Sequence, residues 1–172
     1  MRKKYFYLTD HQDFDYPVMD DGVTFQLAQE PYVRRMEELK YQYKDKIDIR
    51  IGVELGLMAH IKDKTEAYAK AYDYDFIIGS SHMVNGVDPY YPAYYADKNE
   101  YQAYEQYFLS ILDNVKAYDC YHVYGHLDYI MRYVPNQTKQ YDPMAYGDIF
   151  REILKTIIDP CGRNEGIEEN FS

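Results

Sequence analysis

An α/β fold with a parallel sheet and crossover helices is predicted by two observations. Short β-branched or aromatic runs alternate with helical stripes along the chain, and a histidine or glutamate recurs at the end of each internal strand segment. Residues 4–9 read as a first short strand. In "EPYVRRMEELKYQYKDK", 30–46, Tyr32, Met36, Leu39 and Tyr43 share one helical face, and Pro31 suits a first helical turn. "IDIRIGVEL", 47–55, alternates as a strand with Ile47, Ile49, Ile51 and Val53 on one side. A weaker helix is expected at about 63–72, and "DFIIGSSH", 75–82, reads as a buried strand. The loop "MVNGVDPYYPAYYADKN" precedes a strong helix over 100–118, with Tyr104, Phe108, Ile111 and Val115 on its stripe. "CYHVYGHLDY", 120–129, is expected to be a strand ending at Gly125-His126; a helix follows at 147–159 and a strand-like segment at 166–172. No internal repeat or linker divides this pattern, so residues 1–172 read as one domain, either a barrel or a doubly wound sheet.

The bulk numbers exclude several classes. At 172 residues, with 47% hydrophobic and 28% charged residues, the chain is long enough for one core. The formal net charge of −10 argues against nucleic-acid binding through a broad basic surface. No apolar run is long enough to span a bilayer, so no membrane role is expected. "MRKKYFYLTD" has a basic start without the apolar segment of a signal peptide. Cys120 and Cys161 are far apart and form no Cys-x-x-Cys, which reads as reduced thiols in a cytoplasmic protein. Tryptophan is absent and tyrosine reaches 23, so tyrosine should supply much of the aromatic packing.

The candidate functional residues sit at strand ends. In "YLTDHQDFDY", 7–16, the first strand empties into Asp10, His11, Asp13 and Asp15. His11 follows the first strand, Glu54 closes the second, His82 follows the third and His126 ends the fourth. Parallel strands deliver such residues to one C-terminal edge, where barrel active sites lie. Imidazole with carboxylate suits Zn, Mn or Fe, and closely spaced metals clamp phosphate esters. Asp128 is placed to orient His126 from two residues away, while Arg132 and Lys139 offer charge for phosphate oxygens. His60 and His122 fall outside the pattern and read as structural. Ser110 and Thr9 have no histidine placed to activate them, and "IGSS" is too short for a phosphate loop.

The words "LTDHQDFDYP", "IGVELGL", "DFIIGSSHMV", "YGHLDYIMRY" and "GIEENFS" occur in the order and spacing of the PHP-domain phosphoesterases, and the chain most resembles their histidinol-phosphatase branch. The resemblance implies a distorted (β/α)7 barrel, up to three divalent metal ions, and hydrolysis of L-histidinol phosphate in histidine biosynthesis. It implies that His11 ligates one metal, that Glu54 bridges two, that His82 and His126 share a metal with Glu54, and that Arg132 contacts the substrate phosphate. Asn170 and Ser172 match a Glu-x-Asn-x-Ser word near the family's substrate pocket.

The chain also departs from the family. It carries neither the opening His-x-His strand nor the closing Asp-x-His. The resemblance therefore implies a partial barrel without its first and last strands, with one three-ligand site intact and the others short of ligands. Sheet edges left open in this way are expected to favour self-association. Three readings follow: a histidinol-phosphatase, a metal-binding remnant that is inactive or needs a partner chain, and a phosphoesterase for another small ester.

Overall fold

The computed structural model describes residues 4–17, 24–135 and 142–159. Strands and helices alternate there: β1 (Tyr5–Gln12), α1 (Gln29–Tyr43), β2 (Asp48–Gly56), α2 (Lys62–Lys70), β3 (Phe76–Ser80), α3 (Glu100–Ala117), β4 (Val123–Tyr124) and α4 (Gly147–Ile158). All strand pairs are parallel and the sheet order is β1-β2-β3-β4. Sequential order decides between the two α/β alternatives. A doubly wound sheet reverses direction at a switch point, whereas a barrel adds each new strand beside the last. The four strands form an arc of a barrel.

The alternation of β2 sets the two faces of that arc. Ile49, Ile51, Val53 and Leu55 are buried on one side, where Tyr32 of α1, Ala69 of α2, and Ile77 and Tyr118 complete a core. Arg50, Gly52 and Glu54 occupy the other face, which carries the polar end of the site. The predicted stripe of α1 holds for Tyr32, but Tyr43 at the helix end is 36% exposed. The stripe of α3 is buried throughout, and Phe108 packs on Phe150 of α4 with ring centroids 4.5 Å apart. A capping box starts α3: Asn99 Oδ1 accepts from the Gln102 backbone N–H, and the Gln102 side chain accepts from that of Asn99.

Several boundaries differ from expectation. β1 runs to Gln12, so His11 lies inside the strand and pairs with Glu54 across the ladder. The long strand expected over 120–129 shrinks to two residues. Its entry is altered by His122, whose Nδ1 accepts the Ile77 backbone N–H and takes a ladder position from the main chain. His122 also stacks on Phe76, so its role is structural, as expected. The segment 166–172, Lys139, Cys161, Asn170 and Ser172 lie outside the described residues.

Candidate metal centre

Glu54, His82 and His126 converge at the C-terminal edge of the sheet. His82 Nε2 lies 3.2 Å from Glu54 Oε1, His126 Nε2 lies 3.3 Å from the same oxygen, and the two nitrogens are 3.4 Å apart. Ligands about 2.0–2.1 Å from a tetrahedral ion sit roughly 3.3–3.4 Å from one another, so this triangle fits a single cation. The protonation pattern supports the same fit. His82 Nδ1 is 2.8 Å from Asp13 Oδ2. An ionised carboxylate only accepts, so Nδ1 carries the proton in the neutral ring and Nε2 presents a lone pair. That lone pair faces Glu54 Oε1, which also only accepts. A positive centre is needed between them.

Without a metal, a proton meets that need. Burial opposes charging His82, but hydrogen bonds to Asp13 and Glu54 outweigh it and raise its pKa to about 9. Burial also works against an ionised Glu54, yet its contacts with His126 and His82 and the charge of His11 hold its carboxyl far below the usual range.

Local sequence explains how the strands deliver these groups. Gly56 leaves room for Asp13, because a Cβ there would lie 2.5 Å from Asp13 Oδ1. Gly125 allows the chain to cross Ser80, whose hydroxyl a Cβ would meet, and so brings His126 over the end of β3. Buried Asn114 of α3 donates to the Leu57 carbonyl at 2.9 Å and to Ser81 Oγ at 2.7 Å, which fixes the residue before His82.

His11 is placed differently. Its Nε2 is 3.7 Å from Glu54 Oε2, its Nδ1 is 4.0 Å from Asp13 Oδ1, and its side chain is 42% exposed. Glu54 therefore offers one oxygen to His82 and His126 and the other to His11. A second donor group, His11, Asp13 and His82, adjoins the first.

The structure thus brings His11, Glu54, His82 and His126 together. Arg132 joins them by lining the same cavity, of about 450 Å³, from the end of a 3-10 turn at Tyr129–Arg132. Asp128 is corrected. It is exposed, and His126 Nδ1 is buried with no hydrogen-bond partner, so Asp128 does not orient that ring. A turn following His126 directly carries the Asp128 side chain outward. The carboxylate that does orient a histidine is Asp13, a role the sequence reading did not assign. Its signal was Gly56, two residues beyond Glu54. Buried Asp88 was also missed. Ser110 and His60 line a separate cavity of about 520 Å³ with no hydrogen bond between them, and His60 faces Asp15 at 3.7 Å.

A parallel arc that gathers two imidazoles and a carboxylate at its C-terminal edge defines an α/β-barrel protein with a metal-type centre. The PHP domain family model matches residues 2–166, and the chain belongs to the PHP-domain family. Among curated proteins, the histidinol-phosphatase of Lactococcus lactis is 33% identical over 150 residues, covering 87% of this chain and 54% of that protein. A Clostridium acetobutylicum protein named a probable histidinol-phosphatase is 30% identical over 152 residues, covering 88% and 56%. The crystal structure of the Lactococcus lactis histidinol phosphate phosphatase, complexed with zinc, L-histidinol and phosphate, superposes with a TM-score of 0.81 at 32% identity. That match covers 90% of this chain and 57% of the other. A Listeria monocytogenes structure shares the fold at a TM-score of 0.66 and 18% identity, covering 90% and 67%. The chain spans about half the length of the curated relatives it matches.

Proposed function

We propose that this chain carries the metal centre of a phosphomonoester hydrolase that converts L-histidinol phosphate and water to L-histidinol and phosphate. The observation that carries the reading is the convergence of three ligand-type atoms, on Glu54, His82 and His126, at the spacing of ligands on one cation. Similarity to phosphatases of that name supports the substrate. In this reading Glu54, His82 and His126 hold one divalent ion, of zinc, manganese or iron, and His11 with the second Glu54 oxygen offers donors to another. A bound cation supplies Lewis acidity and an acidified water for attack on phosphorus. The protein groups do the rest. Asp13 fixes the His82 tautomer, Glu54 keeps its charge, and the Arg132 guanidinium at the cavity wall binds and orients the phosphate oxygens. A cytoplasmic setting belongs to the same proposal, in keeping with the similarity to histidinol-phosphatases.

The test is phosphate release from L-histidinol phosphate by the purified chain supplied with zinc or manganese. Glu54→Gln should abolish release while circular dichroism stays unchanged. Equal rates in the two proteins would sink the assignment. A second reading, metal binding without turnover by this chain alone, is favoured by the open side of His11, which is 42% exposed. Self-association is supported by Tyr5, Phe6 and Tyr7 on β1, which are 58%, 52% and 48% exposed. Zinc bound at stoichiometry with no phosphate released, and a dimer mass in light scattering, are the results those readings require.

A further inference from the structure

The free side of β1 is complementary to itself. The strand is eight residues long and ends the sheet order, and among the described residues nothing pairs with its outer edge. The Lys4 carbonyl accepts the Asp48 backbone N–H at 3.0 Å, so the even-numbered residues of β1 turn their main-chain groups toward β2. Tyr5, Tyr7 and Thr9 turn theirs outward, and a row of unpaired N–H and C=O groups is a template for another strand. The side chains along this edge are large and apolar, with Tyr5, Phe6 and Tyr7 half-exposed. They are also held in place. Tyr7 packs on Phe76 of β3 with ring centroids 5.2 Å apart, and the Arg50 guanidinium lies 5.4 Å from the Tyr5 ring.

Charge decides what fits this edge. Lys4 and Asp10 are exposed and lie three residues to either side of Tyr7. A second copy turned about a two-fold axis through Tyr7 runs antiparallel, so Lys4 meets the partner's Asp10 and Asp10 meets the partner's Lys4. In the same register Phe6 lies opposite the partner's Leu8, and Tyr5 lies opposite the partner's Thr9. The outward-turned residues then form the hydrogen-bonded pairs, as an antiparallel ladder requires. Other registers lose the charge match. Centring on Leu8 sets Asp10 against the partner's Phe6, and centring on Phe6 sets Lys4 against the partner's Leu8. A parallel copy in register sets Lys4 against the partner's Lys4 and Asp10 against the partner's Asp10, and like charges directly opposite repel. β4, at the other end of the sheet, pairs over only two residues and offers no edge of matching length.

We propose that two copies of this chain join β1 to β1, antiparallel and centred on Tyr7, so that two four-stranded sheets become one continuous sheet. The ladder supplies affinity, and the two Lys4–Asp10 pairs fix its register. The proposal names the surface and geometry of the self-association reading, on which it rests, and it is independent of the phosphatase reading.

Sedimentation of the purified chain over a range of concentrations tests it, and the native chain should reach a dimer mass. Lys4→Glu and Asp10→Lys, made singly, each turn two attractions into two repulsions. Each should raise the dimer dissociation constant about tenfold in dilute salt. Mixed in equal amounts, the two single variants should regain the native constant, because each supplies the charge that the other lacks. Tyr7→Pro removes the outward N–H at the axis and leaves the ladder to β2 intact, so it should yield a monomer with an unaltered circular dichroism spectrum. If that variant does not fold, the charge exchange carries the test alone, since Lys4 and Asp10 are exposed. A native chain that stays monomeric, a dimer indifferent to both charge reversals, or a mixture that does not recover would overturn the β1 pairing. The second of these results would leave self-association standing on another surface. A monomer that releases phosphate would leave the phosphatase standing, and a charge-dependent dimer without turnover would leave the pairing standing.

Discussion

The two sides of Glu54 are built to different standards. On one side, Oε1 meets His82 and His126 nitrogens at 3.2 and 3.3 Å, and His82 is braced from behind by Asp13. On the other, Oε2 meets His11 at 3.7 Å, and that ring is 42% exposed. The buried side has a complete donor triangle, a fixed tautomer and support from α3 through Asn114 and Ser81. The exposed side has donors without bracing. The difference teaches that a shared carboxylate does not make two equal sites. Affinity follows how firmly the remaining donors are held. The chain should therefore bind a first metal ion tightly and a second one weakly.

Glu54→Gln should have the largest effect, because it removes the charge common to both sides. Zinc retained after dialysis, measured by mass spectrometry, should fall to background, with the dissociation constant raised more than about 100-fold. Retention of one tight equivalent would show that the histidines suffice and would break the comparison. Asp13→Asn comes next. It keeps the shape and removes the charge behind His82 Nδ1, and partners of metal-bound histidine are typically worth about 10–100-fold in affinity. Titration with a competing chelator should show the loss at the first equivalent, through His82, and at the second as well, since Asp13 is itself one of that group's donors. His11→Ala should be milder, leaving the first equivalent within about tenfold of native and eliminating the second. Equal losses at both equivalents would mean that the two sides are one cooperative site.

The sequence allowed most of this arrangement to be read, for a physical reason. Parallel strands place successive end residues on one edge, so His11, Glu54, His82 and His126 could be grouped from spacing alone. Their shared site is local to strand ends, which the period-two pattern marks well. The supporting groups were harder. Asp13 reaches His82 across 69 residues, and Asn114 reaches Leu57 across 57. Neither separation has a periodic signature. Proximity in sequence points to Asp128 as the partner of His126, but the turn after His126 carries it outward. Asp88 lay hidden in a Tyr- and Pro-rich loop, where no period distinguishes a buried carboxylate from a solvated one. β4 is shorter than its pattern predicts, and at its entry a side chain, His122 Nδ1, takes a main-chain hydrogen bond.

The smallest expected effect on metal affinity tests where the firmness of the buried side originates. Asn114 is 2% exposed, and its amide donates to the Leu57 carbonyl and Ser81 Oγ, on segments that follow β2 and β3. Ser81 Oγ is in turn 2.5 Å from the Tyr124 hydroxyl on β4. One helix residue thus ties together the ends of the three strands that deliver Glu54, His82 and His126. Asn114→Leu is close in volume but donates nothing, so the Leu57 carbonyl loses its partner in a buried setting. That should cost about 1–3 kcal/mol of stability, read from urea denaturation of the metal-free chain. Zinc affinity at the first equivalent should fall only a few-fold, because the ligands themselves remain. The second equivalent should not change, since His11 reaches Glu54 from β1, which Asn114 does not touch. A stability loss without any change in the first equivalent would show that the triangle is held by the sheet alone. A loss shared by both equivalents would show that His11 draws on the same support, and the contrast between the two sides would then be one of exposure rather than of bracing.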